Sequence, residues 1–587
     1  VKVTQTDEKK APIEWRMRQY DTEAARDLAY ELEMPLPIAG VCVARGLSTP
    51  EAVEDFCLLE MKKLHNPWLL PDIIPVVDRL VKAINDKEKI FVHGDYDVDG
   101  VTATAVVVTA LRQLGADINF HVPHRIYDGY DIKPSSIDRA LAASATLFIS
   151  VDCGILAFET AEYAKTKNID LIITDHHTPN QDGSVPDCIG VVNPNRLDST
   201  YPFPGLAGVG IAFKVMMALA NKMNHDVKAL SSDLLEYVAL GTVADVAPMI
   251  DENRSLVALG CKYLTDSKKA GVRELLRVAG VKEVDTMSIG FSLGPRINAV
   301  GRLADSYTAL ELMLETSERR AKFLAEQLNS ANSRRQHQQE QATQEAMELV
   351  PDNLEEHSIL LIAAKGWHPG LVGLVAGKIA EQFGKPTLIC TIKDDGTCRG
   401  SARSVEGFNI IEAIKSPECN ELFTKAGGHP FAAGFDFPAK NLDILREQLN
   451  AFAKKKTNGK GIRGVRTIHI DSKIQPGEIN ETLYQSLLKL APFGNDNPEP
   501  IFMVKNMKII QTSTVGQDGK HLKLRLRGNK DSDPWIGAVA WRKGSEKDIY
   551  CEDAIVDVVF KLSKNEWQGR VSLSLTIEDL KISSSNL

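Results

Sequence analysis

The 587-residue chain has nine cysteines, and no two of them stand in a C-x-x-C or other paired spacing. That argues against a zinc ribbon or a disulfide framework and leaves reduced thiols, as in a cytoplasmic protein. No stretch is apolar for long enough to span a bilayer, and the opening VKVTQTDEKKAPIEW has no signal-peptide core, so no membrane attachment is expected. Positive charge is in short supply too: 69 Lys and Arg stand against 78 Asp and Glu, for a net charge of −9. No global field draws the chain to a polyanion, which must instead be met by local basic patches. The P-loop pattern is missing, so the chain has no ATP-driven motor of its own. The remainder, 43% hydrophobic and 25% charged, is ordinary for a globular protein with room for three or four domains.

Residues 1–75 read as a helical lead-in, with Ser48 or Thr49 as a helix cap. From residue 88, strand-like runs alternate with helical ones: IFVH (90–93), INFHV (118–122), LFISV (147–151), LIIT (171–174) and IGVVN (189–193). That rhythm predicts a parallel sheet with crossover helices over 76–315, its last third more helical. Residues 316–350 hold a long stretch without proline or glycine, polar nearly all round, which predicts a connecting helix. A second α/β unit is expected over 351–453, with strands at 357–364 and 386–392, then a basic linker at 454–466. Short strands with turn signals over 467–587 predict a small β-barrel such as an OB-fold.

The stretch FVHGDYDVDG packs Asp95, Asp97 and Asp99 onto alternate positions, with His93 just before them. Three carboxylates so close repel one another unless a cation lies between them. Their address is informative, because ligands of an open parallel sheet bind outside the carboxyl ends of its strands. Asp152 follows LFISV, the run Asp175-His176-His177 follows LIIT, and Asp245 sits in GTVADVAP. A single strand-end Asp is more often a cap or turn residue. The joint placing of His93, Asp97, Asp99, Asp152, His176 and Asp245 points instead to a metal site. Carboxylates with imidazoles and no thiolate favour Mn²⁺, with Mg²⁺ next and Zn²⁺ behind; Cys153 reads as a small buried residue. So many acids suit two ions sharing one Asp, an arrangement that activates water and stabilises a phosphoryl transition state.

HGDYDVDG, SVDCG, TDHH and GTVADVAP resemble the four motifs of the DHH phosphoesterase superfamily. PHRIYDGYDI, GPRINAVGRL, RGSARS, AGGHPFAAG and PFGNDNPEP further resemble its RecJ family of bacterial single-strand-specific 5′→3′ DNA exonucleases, over about residues 60–580. The resemblance implies a DHH domain, connecting helix, DHH-associated domain and OB-fold. It makes the six residues above the metal set and adds Asp95, which binds an ion or orients a ligand. Asp152, Asp95 and His177 become the catalytic residues, with His177 directed to the scissile phosphate or to orienting a ligand. One departure is visible: the family reads GYGL where this chain has Gly129-Tyr130-Asp131-Ile132, which puts a negative charge near the expected phosphate.

An exonuclease also needs a positive pocket for the strand end, and the planar Arg fork binds phosphate in a bidentate manner. Arg125, Arg296, Arg302, Arg399 and Arg403 are candidates, with Ser401, Gly427, Gly428, His429 and Gly434 offering close backbone or side-chain approach. The resemblance places Arg125, Ser401 and Arg403 at the 5′-phosphate. In the barrel, Lys523, Arg525 and Arg527 fall on one face of a strand. Trp535, Trp541 and Trp567 could stack bases, although a barrel tryptophan is more often core. The expected function is a 5′→3′ exonuclease on single-stranded DNA, releasing 5′-mononucleotides in recombination and repair. A monomer working with single-strand-binding protein and a helicase is expected. The alternatives are another DHH phosphodiesterase, acting on short RNA or cyclic dinucleotides, and a non-catalytic DNA-binding relative.

Overall fold

IEWRM alternates apolar and polar residues and forms a strand, β1 (Ile13–Met17), where only helices were expected. The computed structural model describes residues 11–583 except 126, 304–305, 463, 529–532 and 568–569; the side chains of 302–303, 566–567 and 570 are also outside the described set. After β1 come α1 (Thr22–Glu31), capped by Asp21, and α2 (Leu36–Ala44). Thr49 Oγ1 accepts the Ala52 N–H and so caps α3 (Pro50–Cys57). These helices are not a separate lead-in, because Leu28, Ile38, Val41 and Val53 share one apolar core with Phe502, Leu522 and Phe560 of the C-terminal barrel. α1 and α3 each have one apolar stripe and α2 is apolar nearly all round, so all three must be buried against another element.

The chain forms two compact units, one built around Gln327–Ile468, the other from Arg16–Asn298, Ser306–Glu326 and His469–Leu587. In the latter, α4 (Ile73–Asn85) leads into β2 (Lys89–His93), α5 (Val98–Gln113), β3 (Asp117–His121) and α6 (Pro134–Ala142). Then follow β4 (Leu147–Val151), α7 (Phe158–Thr166), β5 (Asp170–Thr174) and β6 (Gly190–Val192). The sheet is parallel throughout, in the order β3-β2-β4-β5-β6. Strand β4 is buried along its whole length, as its continuous apolar run requires between layers of helix. The helical portion includes α8 (Gly208–Lys222), α9 (Val227–Ala244) and α10 (Asp251–Thr265), and α5 packs against α8 and α9.

The expected connecting helix is present as Glu318–Glu348. Ala342 and Ala346 near its end share a core with β7 (Leu360–Lys365) and β8 (Thr387–Ile392), which run parallel. Strands β9 (Thr397–Arg403), β10 (Lys425–His429) and β11 (Ala432–Pro438) extend this sheet in the order β10-β11-β9-β8-β7. Lys454, Lys455 and Lys456 form the last turn of the helix Leu442–Lys456 instead of opening a linker, since the apolar spacing of Leu445, Leu449 and Ala453 carries the helix through them.

After β12 (Arg466–Ile470) and β13 (Ser472–Lys473), the barrel strands are β14 (Phe502–Val515), β15 (His521–Arg527), β16 (Trp535–Ala540), β17 (Ile555–Trp567) and β18 (Arg570–Ile582). The order β14-β15-β16-β18-β17, closed by a β14–β17 pairing, makes a barrel without a free edge. Among the described residues no helix is long and apolar enough to cross a membrane.

Candidate metal centre

The carboxyl ends of β2, β4 and β5 and the end of α9 converge. His93 is the last residue of β2; Asp97 caps α5, accepting the Gly100 N–H at 3.1 Å; Asp152 and Asp175 follow β4 and β5; Asp245 caps α9. Asp95, Asp97 and Asp152 can each aim one donor atom into a single ligand cluster, as can Asp99, His176 and Asp245, and Asp152, His176 and His177. Within each cluster the donor atoms lie within 4.8 Å of one another. Asp152 and His176 each belong to two clusters, so the site is continuous. His176 Nε2 is 3.2 Å from Asp152 Oδ1 and 3.9 Å from Asp99 Oδ2, while its Nδ1 is 3.9 Å from Asp245 Oδ2.

Several of these donors lack what burial normally demands. Both ring nitrogens of His93 and Asp95 Oδ1 are buried with no hydrogen-bond partner, and Asp152 Oδ1 makes no hydrogen bond although His176 Nε2 lies 3.2 Å away. Unpaired buried polar atoms are costly, and a cation is the partner that suits the carboxylate oxygens and the unprotonated nitrogen of His93. Burial holds His93 neutral, pushing it down to about 3, with His121 nearby adding to the effect. Burial and then the neighbouring carboxylate, Asp245 for Asp99 and Asp97 for Asp245, push both carboxyls up to about 7. Burial also raises Asp95 and Asp152 well above the ordinary range, Asp97 adding to the first and Asp99 to the second. The donor set therefore fits divalent ions held by oxygen and imidazole, with Asp152 and His176 common to two clusters. Cys153 turns its thiol toward the Val151 carbonyl, 3.6 Å away, as a small buried residue does.

The acids are set by contacts distant in sequence. Asp99 accepts the Gly208 N–H at 2.7 Å and the Val209 N–H at 2.8 Å, so the first turn of α8 grips both its oxygens. A Cβ on Gly208 would lie 2.5 Å from Asp152 Oδ1, so only glycine fits between the two acids. Asp152 itself has φ 62°, a left-handed conformation an aspartate tolerates better than most residues. Asn193 and Asn195 donate to the His177 and His176 carbonyls at 2.9 and 2.6 Å.

Asp175, quoted in TDHH but given no role, has one. It is fully buried, and its Oδ1 lies 2.7 Å from His177 Nδ1 while accepting the backbone N–H of His176 and His177. Burial opposes charge on His177, but the Asp175 hydrogen bond and its charge, then Asp245 and Asp99, raise the imidazole to about 9. Tyr130 Oη lies 3.2 Å from the same Nδ1. Asp131 has φ 72°, which explains a glycine in the family pattern, and its carboxylate accepts the Ile132 N–H at 2.8 Å. Burial raises Asp131 to about 6.

The basic candidates divide. The Arg125 guanidinium lies 5.0 Å from the Tyr96 ring, and its charge partly offsets the upward shift of Asp95. Arg296 donates to the Ser292 and Val278 carbonyls at 2.7 and 3.5 Å. The side chain of Arg302 lies outside the described residues. On β9, Arg399, Ser401 and Arg403 share one face. The Arg399 fork is matched by Asp436 through bonds of 2.9 and 2.8 Å. Arg403 Nη1 donates to Ser401 Oγ at 2.9 Å, and Ser401 pairs with Gly434, itself opposite Gly427. Bare backbone thus lies beside the serine, His429 is exposed, and Gly428 has φ 145°, with no room for a Cβ against Ala432 O at 2.4 Å. On the barrel, Lys523 and Arg525 are exposed and Arg527 is half-buried on the same strand face. Trp535 and Trp541 are each 58% exposed, not core, and line a groove of about 1080 Å³ with Lys523 and Arg525. The Arg525 guanidinium sits 3.8 Å from the Trp535 ring centre. The side chain of Trp567 is outside the described set.

A parallel sheet with acids and imidazoles gathered at its carboxyl end, followed by a separate α/β unit, defines the chain as a DHH-type phosphoesterase. Family models match accordingly: the DHH family, N-terminal domain, over residues 89–242, the DHHA1 domain over 357–455, and the RecJ OB domain over 470–579. The chain belongs to the RecJ family. It is 32% identical over 578 residues to the single-stranded-DNA-specific exonuclease RecJ of Bacillus subtilis, covering 98% of this chain and 72% of that protein. The protein of that name in Escherichia coli is 31% identical, covering 97% and 99%. A crystal structure of Thermus thermophilus RecJ with Mn²⁺ aligns with a TM-score of 0.80 at 27% identity, over 97% of this chain and 80% of that one. The same protein with Mg²⁺ aligns at 0.75 and 26% identity.

Proposed function

We propose that this chain is a metal-dependent exonuclease that degrades single-stranded DNA from its 5′ end and releases 5′-mononucleotides by hydrolysis, in recombination and repair. The carrying observation is the pair of ligand clusters, Asp95-Asp97-Asp152 and Asp99-His176-Asp245, bordered by buried donors without partners. Mn²⁺ or Mg²⁺ would be held by these residues and by His93, Asp152 belonging to two of the ligand clusters. When bound, the ions supply an activated water and neutralise charge developing on the phosphoryl group.

The protein's own groups do the rest. Asp175 fixes the His177 ring through Nδ1 and, in the metal-free protein, favours its charged form, which leaves Nε2 to face a phosphate oxygen. Asp99, gripped by α8, holds the geometry of the Asp245 side of the site. Arg125 adds positive charge at the Asp95 side. Ser401 and Arg403, beside the bare backbone at Gly427 and Gly434, suit a terminal 5′-phosphate; their position on one strand face supports an enzyme that requires an end. The Trp535–Trp541 groove, with Lys523 and Arg525, suits the bases and backbone of the strand further along.

A phosphodiesterase for short RNA or cyclic dinucleotides has no use for a groove of this size, and a non-catalytic relative has no use for the orphaned acids. Single-strand-binding protein and a helicase are proposed partners of a monomeric enzyme acting in the cytoplasm. The test is digestion of 5′- and 3′-labelled single-stranded and duplex DNA with Mn²⁺, Mg²⁺ or EDTA, alongside Asp152→Ala. Single-strand-selective loss of the 5′ label first, abolished by EDTA and by the substitution, is expected. Attack from the 3′ end, equal digestion of duplex, or full activity of Asp152→Ala would overturn the reading.

A further inference from the structure

Arg254 is a buried cation without an acid. It lies in the first turn of α10, 2% exposed, and among the described residues no carboxylate pairs with it. Its Nη1 donates to the Leu490 and Pro492 carbonyls at 3.0 and 3.3 Å, and its Nη2 to Ala491 and Phe56 at 3.0 and 3.3 Å. The Phe56 ring centre lies 3.6 Å from the guanidinium carbon. Burial pushes Arg254 down to about 10. Burying an unpaired charge is unfavourable, and its most direct return is a fixed backbone geometry.

What it fixes is the loop 490–498, which leads into the barrel through β14. Asn497, 1% exposed, donates to the Leu490 and Pro492 carbonyls at 3.0 and 2.8 Å and accepts from Arg45. This loop touches the metal centre's own support: the Met249 N–H donates to Asn495 O at 2.7 Å. Met249 belongs to the segment between α9 and α10 that begins with Asp245. There Val246, a β-branched residue, is held at φ 58°, a conformation that needs restraint from its surroundings. Asn253, beside Arg254, ties Pro248 O at 3.0 Å to Gly205 O at 2.8 Å, just ahead of the α8 turn that grips Asp99.

We propose that Arg254 and the 490–498 loop are positioning elements for the metal centre: the loop entering the barrel sets the Asp245 segment, so ion binding depends on how the barrel is seated. The proposal rests on the reading of Asp245 as a metal ligand. Loss of this support should weaken ion binding about tenfold, the usual scale for groups that orient ligands.

The test titrates the metal-free full-length protein with Mn²⁺ by calorimetry and measures kcat and KM on single-stranded DNA. Arg254→Met removes the donors. Gly494→Ala is the milder variant, since its Cβ would lie 3.2 Å from Met249 Cβ and press on the segment directly. Asp245→Ala is the control. We expect weaker Mn²⁺ binding and lower kcat in both positioning variants, with KM unchanged and partial recovery in Arg254→Lys. If Asp245→Ala leaves Mn²⁺ binding intact, the reading of the metal site fails. If Asp245→Ala weakens binding but Gly494→Ala, folded and melting near the parent, does not, the positioning role is refuted. A rise in KM without a change in Mn²⁺ binding also refutes it.

Discussion

Asp175 Oδ1 and His177 Nδ1 are 2.7 Å apart, and the carboxylate is fully buried while the imidazole edge is not. A buried acid behind an accessible histidine fixes the ring's orientation and favours its charged form in the metal-free protein. Asp175→Asn should lower kcat about 10²-fold, within the range for a lost proton-holding group. In the metal-free protein, the His177 titration followed by NMR should move down from about 9 toward 6.5. The folded value lies above the unfolded one, so the pair's stabilisation is complete below pH 6.5 and lost as pH rises through about 9.

The carboxyls behave with the opposite sign to ordinary aspartates. Asp99 and Asp245, raised from 3.8 to about 7, hold protons in the metal-free folded state that the unfolded chain has shed. Metal-free protein should therefore lose stability as pH rises from 3.8 through 7. Mn²⁺ binding should release protons at pH 6.5, seen as a dependence of the calorimetric heat on buffer ionisation enthalpy, and at pH 8 this release should fade.

Gly208→Ala should damage the metal site more than the fold. Its Cβ would meet Asp152 Oδ1 at 2.5 Å, displacing a carboxylate that belongs to two donor clusters. Mn²⁺ affinity should fall about tenfold or more, with the far-UV circular dichroism spectrum retained.

Arg399 and Arg403 share a strand face but not a state, since Arg399 is already matched by Asp436. Arg403→Ala should cut the preference for 5′-phosphorylated over 5′-hydroxyl oligonucleotides about tenfold, the scale of a charged hydrogen bond. Arg399→Ala should leave that ratio within about twofold. The ratio of kcat/KM on the two substrates decides it.

Trp535→Ala should weaken binding of long single strands by about 1–3 kcal/mol and leave the shortest cleavable oligonucleotides unaffected. Fluorescence anisotropy against strand length is the measurement.

The sequence by itself determined the five strands of the first sheet, their parallel run and the address of the acids, but neither the order of the strands nor β1 and β9–β11. Apolar runs of strand length followed by polar turns are local patterns, and in a parallel sheet they bring every strand's carboxyl end to one edge, carrying His93, Asp152 and His176 with them. It also determined the helix Glu318–Glu348, from its length without a breaker. Only the tertiary structure decided which partner each side chain took. The grip of Gly208 and Val209 on Asp99, the pairing of Arg399 with Asp436, and the seating of α1–α3 against the barrel all join residues far apart in the chain. The exposure of Trp535 and Trp541 was likewise undetermined, because a strand's alternation gives two faces without saying which one the barrel closes over. Periodicity fixes what is local; the choice of distant partner is made by packing.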